Sequence, residues 1–225
     1  MLILLFDIDG TLINTGGAGG AALRQAFQVE FAIDRPGQVQ FSGRTDRGIV
    51  RNLFQLHDIP DTQENWLRVR DGYLQRLPEH LPQCNGRVLP GVEELLMRCS
   101  SAADTAVGLL TGNIRAGAQI KLEHFDLYNY FSFGGFGDDH YERDNVARAA
   151  LAAAKSSTPA STNGATIWVI GDTPLDVSCA RAIGANVLAV ATGLHPRAEL
   201  EEAEPDVLLD DLSDTEKVLE QVARS

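Results

Sequence analysis

The sequence predicts an α/β protein, a doubly wound parallel sheet with a helical unit inserted into it, on three observations. Five short apolar runs, at 2–6, 105–110, 166–170, 187–191 and the weaker 207–209, are rich in Leu, Ile and Val. They are continuous rather than alternating, which is the pattern of strands covered on both faces. Helical patterns lie between most of them, and the gap between the first run and the second is far longer than one crossover helix requires.

Taken in order, the run Leu2 to Phe6 is the first strand, closed by Asp7. The stretch that follows shows no convincing strand but three amphipathic patterns. They are carried by Ala22, Leu23, Ala26 and Phe27, then by Ile49, Val50, Leu53 and Phe54, then by Trp66, Val69, Tyr73, Leu74 and Leu77. Each keeps one helical face apolar. A small helical domain at 15–85, inserted into a core built from 1–14 and 86–225, is the economical account. Val92, Leu95, Leu96 and Cys99 form a helix before the second strand; Val177, Ala180, Arg181 and Ile183 form one after the third. The polar segment 156–164 (SSTPASTNG) reads as a surface loop, and no internal repeat is visible.

Composition excludes several classes of function. Of 225 residues, 44% are apolar and 22% charged, enough for a real core. Nineteen Lys and Arg against thirty-one Asp and Glu leave a net charge of −12, which repels a phosphate backbone, so no nucleic-acid partner is expected. Cys84, Cys99 and Cys179 form no CxxC pair and argue against a disulfide framework or a structural zinc site. The run 2–6 has no basic lead and is too short for a signal peptide or a membrane span. The expectation is a cytoplasmic protein, a monomer or weak homodimer, without membrane association.

In an open parallel sheet the ligand lies beyond the carboxyl ends of the strands, so the first polar residue after each run matters. These are Asp7, Thr111 and Asp172, accompanied by Gly10, Gly112 and Gly171, which let a ligand approach the backbone. Asp7 and Asp9, two residues apart in extended backbone, share a face. One carboxylate can attack phosphorus while the other gives a proton to the leaving oxygen and later takes one from water. Two such charges beside a phosphate call for a hard divalent cation, which suits Mg²⁺. Asp172 supplies a third carboxylate, and Asp176, near a helix start, orients it or holds a metal-bound water.

Competing readings are weaker. An EF-hand needs Gly and Glu where the sequence has Leu12 and Ala18. The dinucleotide fingerprint GxGxxA fits 17–22 but starts ten residues beyond the strand end, so those glycines read better as a hinge. Asp138, Asp139 and His140 read as a solvated loop.

These motifs resemble those of the haloacid dehalogenase-like phosphohydrolases along the whole chain. The first motif is Phe6-Asp7-Ile8-Asp9-Gly10-Thr11-Leu12, the second Leu109-Leu110-Thr111-Gly112-Asn113, the fourth Val169-Ile170-Gly171-Asp172-Thr173-Pro174-Leu175-Asp176. The insert is similar to the family's α-helical cap, and Gly184-Ala185 with Ala191-Thr192-Gly193 is similar to its phosphoglycolate phosphatase branch. The resemblance implies Asp7 as nucleophile and Asp9 as general acid and base, with Thr111, Gly112 and Asn113 on the phosphoryl oxygens. It implies Mg²⁺ on Asp7, the Asp9 carbonyl and Asp172, with Asp176 close behind. Asp9 favours phosphate over halide chemistry.

At the third motif the family has Lys where this chain has Arg143. Lys121 is the alternative cation, on a helix at 116–125 whose plain reading is a solvated face, and Arg143 is favoured because the 134–137 turn leads to it. In the loop 42–47, Arg44 is the candidate for a substrate carboxylate or second phosphate, set against Thr45 or Ser42 as a simple N-cap. The reading is Mg²⁺-dependent hydrolysis of a small phosphate monoester. A phosphomutase, or a binding protein without turnover, are the alternatives. A phosphorylated receiver domain has no room for the insert.

Overall fold

The computed structural model describes residues 1–157 and 164–223. The chain runs β1 (Leu2–Phe6), β2 (Ile13–Asn14), α1 (Ala18–Phe31), α2 (Asp46–Leu56), α3 (Gln63–His80), β3 (Arg87–Val88), α4 (Val92–Ser101) and β4 (Thr105–Leu110). It continues through α5 (Arg115–His124), β5 (Gly134–Gly135), α6 (Arg143–Ser157), β6 (Thr166–Gly171), α7 (Pro174–Ala182), β7 (Asn186–Val190), α8 (Arg197–Glu202), β8 (Val207–Leu209) and α9 (Thr215–Ala223).

The continuous apolar runs become the strands of a six-stranded sheet ordered β5-β4-β1-β6-β7-β8, with every pair parallel. Their composition follows from burial on both sides. Leu4 and Phe6 of β1 pack with α4, α5 and α9 through Leu95, Leu96, Leu122 and Val218, whereas Ile3 and Leu5 pack with α6 and α7 through Val146, Ala150, Val177 and Ala180. Alternate side chains of one strand thus serve two cores, each large one contributing about 1.5–3 kcal/mol by leaving water. The chain moves from β1 outward through β4 to β5, then returns to β6 on the other flank of β1. The carboxyl ends of β4, β1 and β6 therefore meet at the switch point where such sheets bind ligands.

Between β2 and β3, α1, α2 and α3 build an apolar cluster of their own around Phe27, Phe54, Leu53, Trp66 and Leu77, joined from the sheet side by Ile114. The expectation of no strand in this stretch is corrected in one detail. Ile13 and Asn14 pair antiparallel with Val88 and Arg87, which ties the way into the helical segment to the way out. Two residues per strand are too few to show periodicity. Gly134–Gly135, read from sequence as part of a turn, is instead the edge strand β5, pairing with Leu109 and Leu110. Glycines weaken strand propensity, and here a side chain at Gly135 would collide with α6, so close packing overrides it. In the polar segment 156–164, Ser156 and Ser157 complete α6 and residues 158–163 lie outside the described residues. No helix among the described residues is long and apolar enough to cross a membrane.

Candidate active site

β1 ends one residue before Asp7, and the Asp7 amide donates to the Ile170 carbonyl, so the sheet ladder itself aims this side chain. Asp7, Asp172 and Asp176 offer carboxylate oxygens that lie within 4.8 Å of one another, all three buried. Burial pushes the Asp7 carboxyl up from 3.8 to about 6 even though Arg143 pulls it down, and the Asp176 and Asp9 charges add to the rise. Asp172 is pushed well above the ordinary range, first by burial, then by the Asp176 and Asp7 charges. Its Oδ1 accepts a hydrogen bond from the Thr11 hydroxyl at 3.1 Å.

The turn that follows β1 requires glycine. Gly10 has φ 89°, and a Cβ there would also strike the Asp172 carboxylate, so only a bare backbone allows the two loops to touch. Thr173 and Asp176 form a capping box at the start of α7, where the Thr173 amide and hydroxyl donate to Asp176 Oδ2 at 3.0 and 2.8 Å. The other oxygen of Asp176 pairs with Arg143. Both oxygens of Asp176 are thus engaged, which fits an orienting role better than a direct claim on a metal.

Arg143, the first residue of α6, is buried, and its Nη2 sits 3.1 Å from Asp7 Oδ1. Burial opposes its charge, but Asp176 and Asp7 hold the guanidinium well above its ordinary value. The expected cation is therefore in contact with the expected nucleophile.

Lys121 requires a correction. The sequence placed it on a solvated helix face, yet its side chain is only 5% exposed, and Nζ lies 2.6 Å from Asp9 Oδ2 and 2.7 Å from Asn113 Oδ1. Its buried neighbours Gly117, Ala118 and Leu122 carried no signal of this, because the turn beneath Lys121 is made of small residues with weak periodicity. Two cations occupy the site, one at Asp7 and one at Asp9.

Asn113 orders the second motif. Its amide nitrogen donates to Asp9 Oδ2 and to the Thr111 hydroxyl oxygen, both at 2.8 Å, while its oxygen accepts from Lys121. Thr111, fully buried, also accepts from the Asn113 backbone amide at 3.3 Å. The Thr111 hydroxyl therefore receives two hydrogen bonds, and its own proton has no acceptor among the described residues. The Asp9 carboxylate stands apart from the three-carboxylate cluster and faces the opening, 41% exposed.

The loop before α2 covers this centre. The Asp46 amide donates to the Gly112 carbonyl at 2.8 Å, and the Asp46 side chain accepts from the Ile114 amide at 2.9 Å. Thr45 is the N-cap of α2, accepting from the Gly48 amide, and its hydroxyl donates to the Tyr141 carbonyl at 3.0 Å. Arg44 is exposed, 3.2 Å from Gln40 Oε1, at the rim of a cavity of about 370 Å³ that also includes Asp7, Asp9, Thr111 and Asp172. Two further residues line it: Arg24, which the sequence reading did not single out, and Tyr73, which it read only as part of an apolar helix face.

The model of the haloacid dehalogenase-like hydrolase family matches residues 4–190. A phosphoglycolate phosphatase of Synechococcus elongatus is 28% identical over 229 residues, covering 100% of both chains. A protein of Dickeya dadantii named "Probable phosphatase IndB" is 28% identical over 94% of this chain and 90% of its own. Among solved structures, a hydrolase from Pseudomonas syringae superposes with a TM-score of 0.74 at 24% identity, covering 98% of this chain and 99% of that one, a likeness of fold. With three ordered motifs at the ends of three parallel strands and a family match across most of its length, the chain belongs to the haloacid dehalogenase-like hydrolases.

Proposed function

We propose that the protein is a phosphatase that hydrolyses a small phosphate monoester with Mg²⁺, through a phosphoryl group carried on Asp7. The observation that carries the reading is the separation of two carboxylates only two residues apart. Asp7 lies in a buried pocket against Arg143, whereas Asp9 faces the cavity, held by Asn113 and Lys121.

The donor set fits the metal. Three buried carboxylates within 4.8 Å have Arg143 as their only paired cation among the described residues, and the hard oxygens left over suit Mg²⁺. Asp7, Asp172 and the Asp9 carbonyl would hold it, with Asp176 behind them. When bound it supplies positive charge that offsets repulsion between phosphate and carboxylates.

An oxygen of Asp7 attacks phosphorus and forms the aspartyl ester, while the bond to the leaving oxygen breaks and that oxygen takes the Asp9 proton. Water then attacks phosphorus, Asp9 accepts its proton, the aspartyl bond breaks, and phosphate leaves. Arg143 balances charge at Asp7, and the free Thr111 proton with the Gly112 amide serves the phosphoryl oxygens, joined by the Asn113 amide when it leaves the Thr111 oxygen. We treat 15–85 as a cap that shields the reaction and 1–14 with 86–225 as the core. The similarity to a phosphoglycolate phosphatase favours a compact carboxylate-bearing substrate.

The test is phosphate release from a panel of phosphorylated metabolites with Mg²⁺. Turnover of at least one small monoester, lost by roughly 10³-fold or more in Asp7→Asn with the fold unchanged by circular dichroism, is the expected result. Retained activity in Asp7→Asn removes the covalent mechanism, and a flat panel removes the phosphatase.

A further inference from the structure

We propose that Lys121 is the specificity-determining cation of a leaving-group subsite. A substrate bearing its own anion, a carboxylate or a second phosphate, draws the Lys121 ammonium away from Asp9. This rests on the phosphate-monoester reading above.

An ammonium has three N–H groups. Two of those on Lys121 go to Asp9 Oδ2 and Asn113 Oδ1, and the third has no partner among the described residues. Nζ lies against the first turn of α1, since a Cβ added at Gly19 would sit 3.1 Å from it. That turn begins at Gly17, which has no side chain to cap it, so the positive end of the helix faces the same cavity. The Tyr73 hydroxyl is the second pointer. The residue is 3% exposed, it lines the cavity, and its hydroxyl has no hydrogen-bond partner among the described residues. The acids nearby are Asp9 and Asp46, and Asp46 Oδ2 already accepts from the Ile114 amide. Three donor groups without acceptors thus converge beside Asp9, as an anion requires. A Lys that served only to pair with Asp9 would explain neither the idle N–H nor the idle Tyr73 hydroxyl.

The same geometry links recognition to catalysis. Asp9 Oδ2 accepts from Asn113 and from Lys121 at once, so that oxygen is closed to the transferable proton, which Oδ1 alone carries until a donor withdraws. An incoming anion offers Lys121 an alternative acceptor, and a neutral leaving group offers none. Because the ammonium touches Asp9, that anion must lie within a few bonds of the ester oxygen. Gly19, in the first turn of α1, leaves the space that Lys121 fills.

The experiment compares kcat/KM for phosphoglycolate, ethylene glycol bisphosphate and ethyl phosphate in the wild type, Lys121→Gln and Gly19→Ala. The wild type should favour an anionic substrate over ethyl phosphate by about 10²-fold, and the better of the two names the anion as carboxylate or phosphate. That ratio should fall at least about tenfold in Lys121→Gln and by less in Gly19→Ala, which favours helix and so retains the fold. A wild-type ratio near one, or a ratio unchanged in both variants, overturns the proposal. Calorimetric binding of phosphoglycolate and ethyl phosphate to Asp7→Asn, with and without Lys121→Gln, separates the two readings. A preference for phosphoglycolate that depends on Lys121, without turnover in the wild type, upholds the subsite and defeats the phosphatase; equal affinities overturn the subsite.

Discussion

Arg143 is the residue at which fold stability and chemistry are hardest to separate. Its guanidinium spans Asp7 and Asp176 in a buried site, so Arg143→Ala leaves two carboxylates facing each other without a counter-charge. Breaking such a pair costs about 3–5 kcal/mol, and loss of a charge at the reacting group costs roughly 10²-fold in turnover. We expect Arg143→Ala to show both, in urea unfolding and in kcat. Arg143→Lys should regain part of the stability and of the rate, since Nη2 alone meets both Asp7 and Asp176 and an ammonium on a shorter stem keeps the charge but not the full reach. A variant with full activity would remove Arg143 from the reaction. Gly193 offers a subtler probe. A methyl group there would overlap Asp172 Oδ2, so Gly193→Ala should displace that carboxylate and raise the Mg²⁺ concentration needed for half-maximal activity by several-fold. An unchanged metal titration would exclude Asp172 from the metal.

At the scale of elements, the start of α2 decides how the loop 42–46 meets the core. Thr45 caps α2 and bonds the Tyr141 carbonyl, while Asp46 receives the amide of Ile114, the residue just before α5. One residue thus caps its own helix, and the next holds the residue from which α5 starts. Thr45→Ala should lower stability by about 1 kcal/mol, the usual worth of an N-cap, and should increase proteolytic cleavage within 41–47 as the link to Tyr141 is lost. A protease pattern identical to the wild type would show that the loop is held by Asp46 alone.

For the whole molecule, the buried acids set the response to pH. Asp7 and Asp46 are each raised from 3.8 to about 6, both chiefly by burial, and Asp172 is raised well above its ordinary range for the same first reason. A raised acid holds a proton in the folded chain at a pH where the unfolded chain has lost it, so stability falls as pH rises from about 4 to about 6 and beyond. In chelator the melting temperature should therefore be higher at pH 5 than at pH 7.5. Mg²⁺ binds the ionised carboxylates, so it should raise the melting temperature more at pH 7.5 than at pH 5. The opposite order in a thermal scan would show that these carboxyls are ionised without help. Asp206 and Asp211, both lowered, act only near and below pH 4: Asp206 is held by Arg181 and the Val187 amide despite its burial, and Asp211 by Ser213.

The sequence by itself determined five of the six strands of the sheet, the three helices of the insert and the residues at the strand ends, while the edge strand β5 was read as a turn. Continuous Leu, Ile and Val runs admit little besides strands covered on both faces, and each run stops at a polar residue that the parallel arrangement brings to one edge. The resemblance at the third motif pointed to Arg143, which the structure places beside Asp7. What only the tertiary structure decided is which side of each helix meets the cavity. Lys121 looks solvated along α5 because its small neighbours hide the periodicity, and it becomes buried only when α1 packs across it with glycine at the contact. The pairing of Lys121 with Asp9, the docking of Asp46 on Ile114 and the convergence of Arg24 and Tyr73 on one cavity depend on contacts between segments distant in the chain. Local spacing along the chain carries information about a helix face or a strand face, and none about which distant segment will cover it.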